Sequence, residues 1–201
     1  MTRPMPLLVL LALVLALLSP VSADARTGTT GRHDAPPARA AKPDPRWVFY
    51  TKDKHRYSSP WFAGRHRKMV PFGCTRAPYY DPDPRCRHQR GFHHGIDIAM
   101  PCGTRLYAAR RGRVVSHDAL GPAYGDNPLL FRNYKLGLDF LLAHTRTVFV
   151  KKGERVHRGE LIAKASDSGA PDGCHLHFEV RTARGGLDDA RYPVGLLELT
   201  A

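Results

Sequence analysis

No stretch of this chain is apolar for long enough to cross a bilayer. The longest run, Leu7 to Leu18, holds 12 residues, where a spanning helix needs about 20. Acidic residues are scarce: 18 Asp and Glu stand against 31 Lys and Arg, a formal net charge of +13. Long-range attraction therefore favours anionic partners over cationic ones. There is no Cys-x-x-Cys pair, so a zinc–thiolate site is not expected. There is no His-Glu-x-x-His helix either, which removes the glutamate base of one large class of zinc peptidases. No repeat of fixed period is visible, and no amphipathic helix of 12 or more residues can be drawn from residue 68 onward.

What is present begins with Arg3, the apolar run, Pro20 and the small residues Val21 to Ala25. This is the layout of a secretory signal peptide over residues 1–23, with cleavage after Ala23 or Ala25. The expected location is the cell envelope or the exterior, with no stable membrane span and no nucleic acid partner; the positive charge then suits an anionic wall polymer. Export also favours disulfides among the four cysteines. Cys74 and Cys86 bracket a short loop and form the local pair; Cys102 and Cys174, each near a candidate metal ligand, form the second.

Residues 24–45, rich in Pro, Ala, Thr and charge, bury little and read as a disordered linker. Residues 46–67, with Trp47, Phe49, Tyr50, Trp61 and Phe62, read as an extension packing on the core. From 68 to 190 short strands alternate with glycine corners, which predicts an all-β, mostly antiparallel sheet or sandwich. Two stretches, 105–115 and 148–163, each read as strand, turn, strand. The segment 118–132 reads as a long loop, and 191–201 as a C-terminal tail.

Two clusters carry chemistry. In His93-His94-Gly95-Ile96-Asp97, a histidine and a carboxylate four apart lie roughly 13 Å apart if fully extended. A bend at Gly95 would bring them onto one ion, with His94 pointing elsewhere. In Cys174-His175-Leu176-His177-Phe178-Glu179-Val180, a period of two puts His175, His177 and Glu179 on one face and Leu176, Phe178 and Val180 toward the core. One histidine of the pair suits metal while its neighbour reaches over water or substrate. Glu179 reads as a surface ion-pair residue, with support of a metal ligand as the other possibility. His144 closes the apolar run Phe140 to Ala143. Three protein ligands with an open fourth position is the form of a catalytic zinc site.

These motifs resemble the lysostaphin/LytM-type zinc endopeptidases of bacterial cell walls. Phe92 to Pro101 is similar to the family's His-x-x-x-Asp motif, Ala143-His144 to its Tyr-Ala-His segment with Leu142 in the aromatic place, and His175 to Val180 to its last motif. The resemblance implies His93, Asp97 and His177 as ligands of one zinc ion per chain, and His144 and His175 as the catalytic pair that orients water and stabilises the transition state. It implies long loops forming the active-site groove, and peptide cross-links or stems of peptidoglycan as substrate, cut by a monomeric metalloendopeptidase. The alternative is a catalytically silent regulator of another wall hydrolase. All five positions being filled favours the enzyme.

Overall fold

The computed structural model describes residues 42–116 and 120–201. The expected signal peptide and residues 24–41 of the expected linker lie outside the described residues. The described strands are β1 (Tyr57–Ser59), β2 (Phe62–Lys68), β3 (Gly73–Thr75), β4 (Gly91–His93), β5 (Gly95–Ala99), β6 (Arg105–Tyr107), β7 (Gly112–Ser116) and β8 (Leu129–Asn133). They continue with β9 (Leu138–Ala143), β10 (Thr145–Arg146), β11 (Arg155–Val156), β12 (Leu161–Ala165), β13 (His175–Thr182) and β14 (Ala190–Arg191). One short helix, α1 (Val194–Leu197), follows. Every strand pairing is antiparallel, so the chain has the all-β fold expected of it.

Twelve strands form one sheet in the order β10-β12-β6-β2-β5-β13-β9-β8-β7-β11, with β1 added beside β2 and β14 beside β13; β3 and β4 make a separate pair. The sheet curls over its larger core, because Trp61, at the entry to β2, touches rings on strands far along that order. Its indole lies 4.7 Å from Phe178 on β13, 5.2 Å from Phe140 on β9 and 5.8 Å from Phe131 on β8, centroid to centroid. These rings are all fully buried, and the offset, tilted contacts add to their area burial.

Four features differ from the reading of the sequence. The stretches 105–115 and 148–163 do supply strand pairs, but each pair separates. β6 joins β12 and β7 joins β11, since in each case the better partner lies in the other stretch. Part of 118–132 is not loop: Leu129 and Phe131 alternate into the core from β8. The segment 46–67 contributes most of β2, which lies between β6 and β5 in the sheet, and Asp44, within the expected linker, accepts a hydrogen bond from the Cys174 amide. Residues 191–201 dock rather than trail. Leu197 is buried, Trp61 donates to the Leu196 carbonyl, and Ser58 bridges Thr200.

Candidate metal centre and cleft

The site is assembled on β13 by its two neighbours. Across the ladder from β13 to β5, His177 stands directly opposite Asp97, and His175 opposite Ala99. On the other side, His177 is opposite Ala143, so the end of β9 delivers His144 to the same place. His93 arrives separately. It ends β4, the chain turns at His94, and Asp97 follows on β5. The turn closes the separation that an extended chain would impose, leaving His93 Nε2 3.3 Å from Asp97 Oδ1. Gly95 is required here by crowding: a Cβ would lie 2.6 Å from His177 Cε1 and 2.7 Å from the Phe178 carbonyl. Any larger residue would push the third donor away.

Three donor atoms converge. His177 Nδ1 is 3.0 Å from His93 Nε2 and 3.0 Å from Asp97 Oδ1. All three side chains are buried. The hydrogen bonds on the far sides of the rings settle which nitrogen faces inward. His93 Nδ1 donates to the Pro71 carbonyl at 3.0 Å, which leaves Nε2 with its lone pair toward the centre. His177 Nε2 donates to Glu179 Oε2 at 3.2 Å, which leaves Nδ1 inward. The edges of 3.0 to 3.3 Å compare with roughly 3.3 Å between ligands in a tetrahedron with bonds of about 2.0–2.1 Å. Two imidazole lone pairs and a carboxylate aimed at one point fit a zinc ion.

The electrostatics also suit a cation. Burial opposes the charged form of Asp97, but His93, His175 and His177 outweigh it and hold the carboxyl well below its usual range. Burial likewise acts against a charged His177, yet Asp97 and Glu179 draw its ring up to about 9. In the metal-free chain Arg181 and a proton on His177 together balance the two carboxylates, and a cation bound there could take over the role of that proton.

Two further imidazoles border the donors. His144 and His175 lie 4.3 Å apart, centroid to centroid. His144 Nδ1 donates to the Ser168 carbonyl at 2.8 Å, and His175 Nδ1 to the Gly173 carbonyl at 2.9 Å. In the neutral form each therefore presents a bare Nε2. Burial, then the charges of His175 and His177, push His144 down to about 3. His144 also sits at φ 53°, a conformation seldom taken by a residue with a Cβ. It is held there by its amide on the Tyr124 carbonyl and by its own carbonyl, which accepts from Ser166.

The structure brings together His93, Asp97, His144, His175 and His177, and leaves His94 on the rim, where its Nε2 accepts from Arg85 at 3.0 Å. Cys74 is joined to Cys86 and Cys102 to Cys174, with Cα separations of 5.5 and 5.2 Å. The second bridge fixes the residue before His175, and the first lies in the segment leading to His93. Glu179 corrects the surface reading. It is fully buried, bonded to His177, Arg181 and the Tyr124 hydroxyl. β13 is central rather than at an edge, and the loop bearing Tyr124 covers this face.

The donors open into a cleft of about 490 Å³. Residues that sequence reasoning did not single out form its walls: Tyr80, whose ring is 5.2 Å from His93, Tyr124, and Asp172, buried with Oδ1 3.7 Å from His175 Nδ1. Tyr124 lies on a short 3-10 turn, Pro122–Tyr124, inside the stretch read as loop. No periodicity marks such a position in the sequence.

With this geometry in hand, the likenesses to known proteins are specific. Over 88 residues the chain is 34% identical to the peptidoglycan DD-endopeptidase ShyA of Vibrio cholerae, covering 44% of this chain and 20% of that protein. Over 115 residues it is 34% identical to the DD-carboxypeptidase/endopeptidase Mpg of Neisseria meningitidis, covering 57% and 24%. The chain thus spans a quarter or less of these relatives' length. The catalytic domain of lysostaphin from Staphylococcus simulans shares the fold, with a TM-score of 0.54 at 22% identity over 66% of this chain and 92% of that one. Residues 91–189, which hold all five site residues, match the model of peptidase family M23, and the chain belongs to that family, the lysostaphin/LytM-type peptidases.

Proposed function

We propose that this protein is an extracytoplasmic zinc endopeptidase that hydrolyses peptide bonds in peptidoglycan. The observation that carries the reading is the orientation of five side chains. His93 Nε2, Asp97 Oδ1 and His177 Nδ1 face one point, the two imidazoles with their outer nitrogens tied back, and His144 and His175 face the same space with bare Nε2 atoms. The relatives named as peptidoglycan endopeptidases support the substrate.

His93, Asp97 and His177 would hold the ion. Zinc bound there supplies a Lewis acid that polarises the scissile carbonyl and acidifies water. The rest falls to the chain's own groups. His144, kept neutral by its burial and with its Nδ1–H committed to Ser168, has Nε2 free to take a proton transiently from water as the oxygen attacks the carbonyl carbon. The C–N bond breaks as the same proton passes to the leaving nitrogen, giving a carboxylic acid and an amine; the acid's proton, the second from water, then passes to the amine to leave carboxylate and ammonium. His175 Nε2, 3.7 Å from Asp97 Oδ1 and bare because Nδ1 donates to Gly173, accepts from the attacking water and so orients it beside the donors. Tyr80 and Tyr124 wall the cleft against bulk water.

The test is zinc content per purified chain together with release of new amino groups from purified sacculi. One zinc per chain with cleavage abolished by His144→Ala supports the reading. One zinc per chain with no cleavage of any sacculus type would assign the chain to the silent regulators.

A further inference from the structure

A second concave site lies away from the cleft, at the far end of the sheet. In register across β11, β7 and β8 stand Arg155, Arg113 and Arg132, and the row continues to Asp139 on β9. Residues directly opposite share a face, and like charges placed so are destabilising. Arg132 is neutralised, donating two hydrogen bonds of 2.7 Å to Asp139. Among the described residues, Arg113 and Arg155 have no such acid. They line a cavity of about 360 Å³ with Arg111, Lys135, Tyr134 and His157, and no carboxylate lines it among the described residues. Three chain segments thus place four permanent positive charges around one hollow. The arrangement is built rather than loose: Arg113 donates to the Gly153 carbonyl, and Asn133 donates to the Arg111 carbonyl at 2.9 Å. None of these residues lines the catalytic cleft.

We propose that this hollow binds a phosphodiester-linked anionic polymer, with Arg113 and Arg155 gripping one phosphate and Arg111 and Lys135 its neighbours. The planar guanidinium matches phosphate oxygens in a bidentate fashion. A single phosphate carries about −2 at most, too little for four cations, whereas a chain with one charge per diester balances them along its length. Single-stranded nucleic acid is disfavoured, since its binding grooves stack successive bases on several aromatic rings, and here the described lining offers only Tyr134, 65% exposed, and the imidazole of His157. The unpaired Arg113–Arg155 contact costs stability in the free protein and gains it back when an anion enters. This inference is independent of the peptidase reading.

The experiment uses the full chain, with poly(glycerol phosphate), inorganic phosphate and a thymidine oligonucleotide of equal charge as probes. Dissociation constants are measured at two salt concentrations, alongside thermal midpoints with and without probe. The proposal expects the polymer to bind the wild type and raise its midpoint. It expects Arg113→Gln/Arg155→Gln to bind tenfold or more weakly, with a polymer-free midpoint no lower than wild type and unchanged hydrolysis of a short soluble peptide. Lys152→Gln, which removes an exposed cation outside the hollow, should bind like wild type. The proposal is overturned if the double variant binds within twofold of wild type, or if Lys152→Gln weakens binding equally. Oligonucleotide or inorganic phosphate matching the polymer's affinity would likewise overturn it.

Discussion

The two faces of β13 are equally buried and built on opposite logic. On one, Leu176, Phe178 and Val180 are fully buried against the aromatic cluster around Trp61. On the other, His175, His177, Glu179 and Arg181 are between 0 and 7% exposed. The first face stabilises by removing apolar area from water. The second must offset the cost of burying charge and does so pair by pair: His177 on Glu179, Glu179 on Arg181, Arg181 on Tyr124. Replacing such a buried network by apolar residues often leaves stability unchanged or raises it. Its presence along half of a central strand is therefore explained by what it holds, the inward-facing Nδ1 of His177.

The comparison is broken most sharply by exchanging one residue at a time on adjacent positions. His177→Ala removes a proposed metal donor and should abolish zinc binding and lower hydrolysis by about 10³-fold or more, a loss of roughly 4 kcal/mol of transition-state stabilisation, while the circular dichroism of the fold persists. Phe178→Ala should do the reverse, costing about 3–5 kcal/mol of unfolding free energy while the folded fraction keeps one zinc per chain. Zinc analysis and urea unfolding of both variants check this. Stoichiometric zinc in His177→Ala would contradict the donor assignment.

A smaller effect probes the pairing behind the donor. Glu179→Gln keeps the shape but weakens the acceptor that fixes the His177 tautomer, and leaves Arg181 without a buried counter-charge. Zinc affinity should fall about 10–100-fold, and stability by several kcal/mol at most. Competition with a chromogenic chelator measures the first and urea unfolding the second. If affinity is unchanged while stability drops, Glu179 serves only the packing of this face.

How much of this was legible follows from how local each signal is. The alternation from His175 to Val180 assigned both faces of β13, because a period of two is a property of the strand itself. The depth at which Glu179 lies was not legible, since it depends on Tyr124 from a distant segment closing over the face. Leu129 and Phe131 were hidden by the Gly, Pro and Asn residues before them, although their alternation was present. The regrouping of β6 with β12 and β7 with β11 was invisible for a related reason. Each strand was read beside its neighbour in sequence, whereas its partner is chosen by the curl of the whole sheet. The five candidate residues, which the fold gathers in one place, could be picked out because their motifs are short and ordered, and the walls were missed because they are neither.

The smallest effect distinguishes the faces by pH. Burial raises the Glu179 carboxyl, but its bonds to His177 and Arg181 outweigh this and hold it below the ordinary 4.5. A carboxyl depressed by folding takes up its proton first in the unfolded chain. Its contribution is complete above about 4.5 and is lost as pH falls through the folded value. Asp97, also held low, acts in the same sense and remains in every variant compared. Metal-stripped wild type should therefore lose stability between pH 5.5 and 4.0 more steeply than Glu179→Gln. Val180→Ala, on the apolar face, should be weaker at both pH values yet keep the wild-type slope, because no titrating group is removed. Urea midpoints at the two pH values decide it: a Glu179→Gln slope equal to wild type would show that the polar face is held by shape, with its charges contributing nothing to the balance.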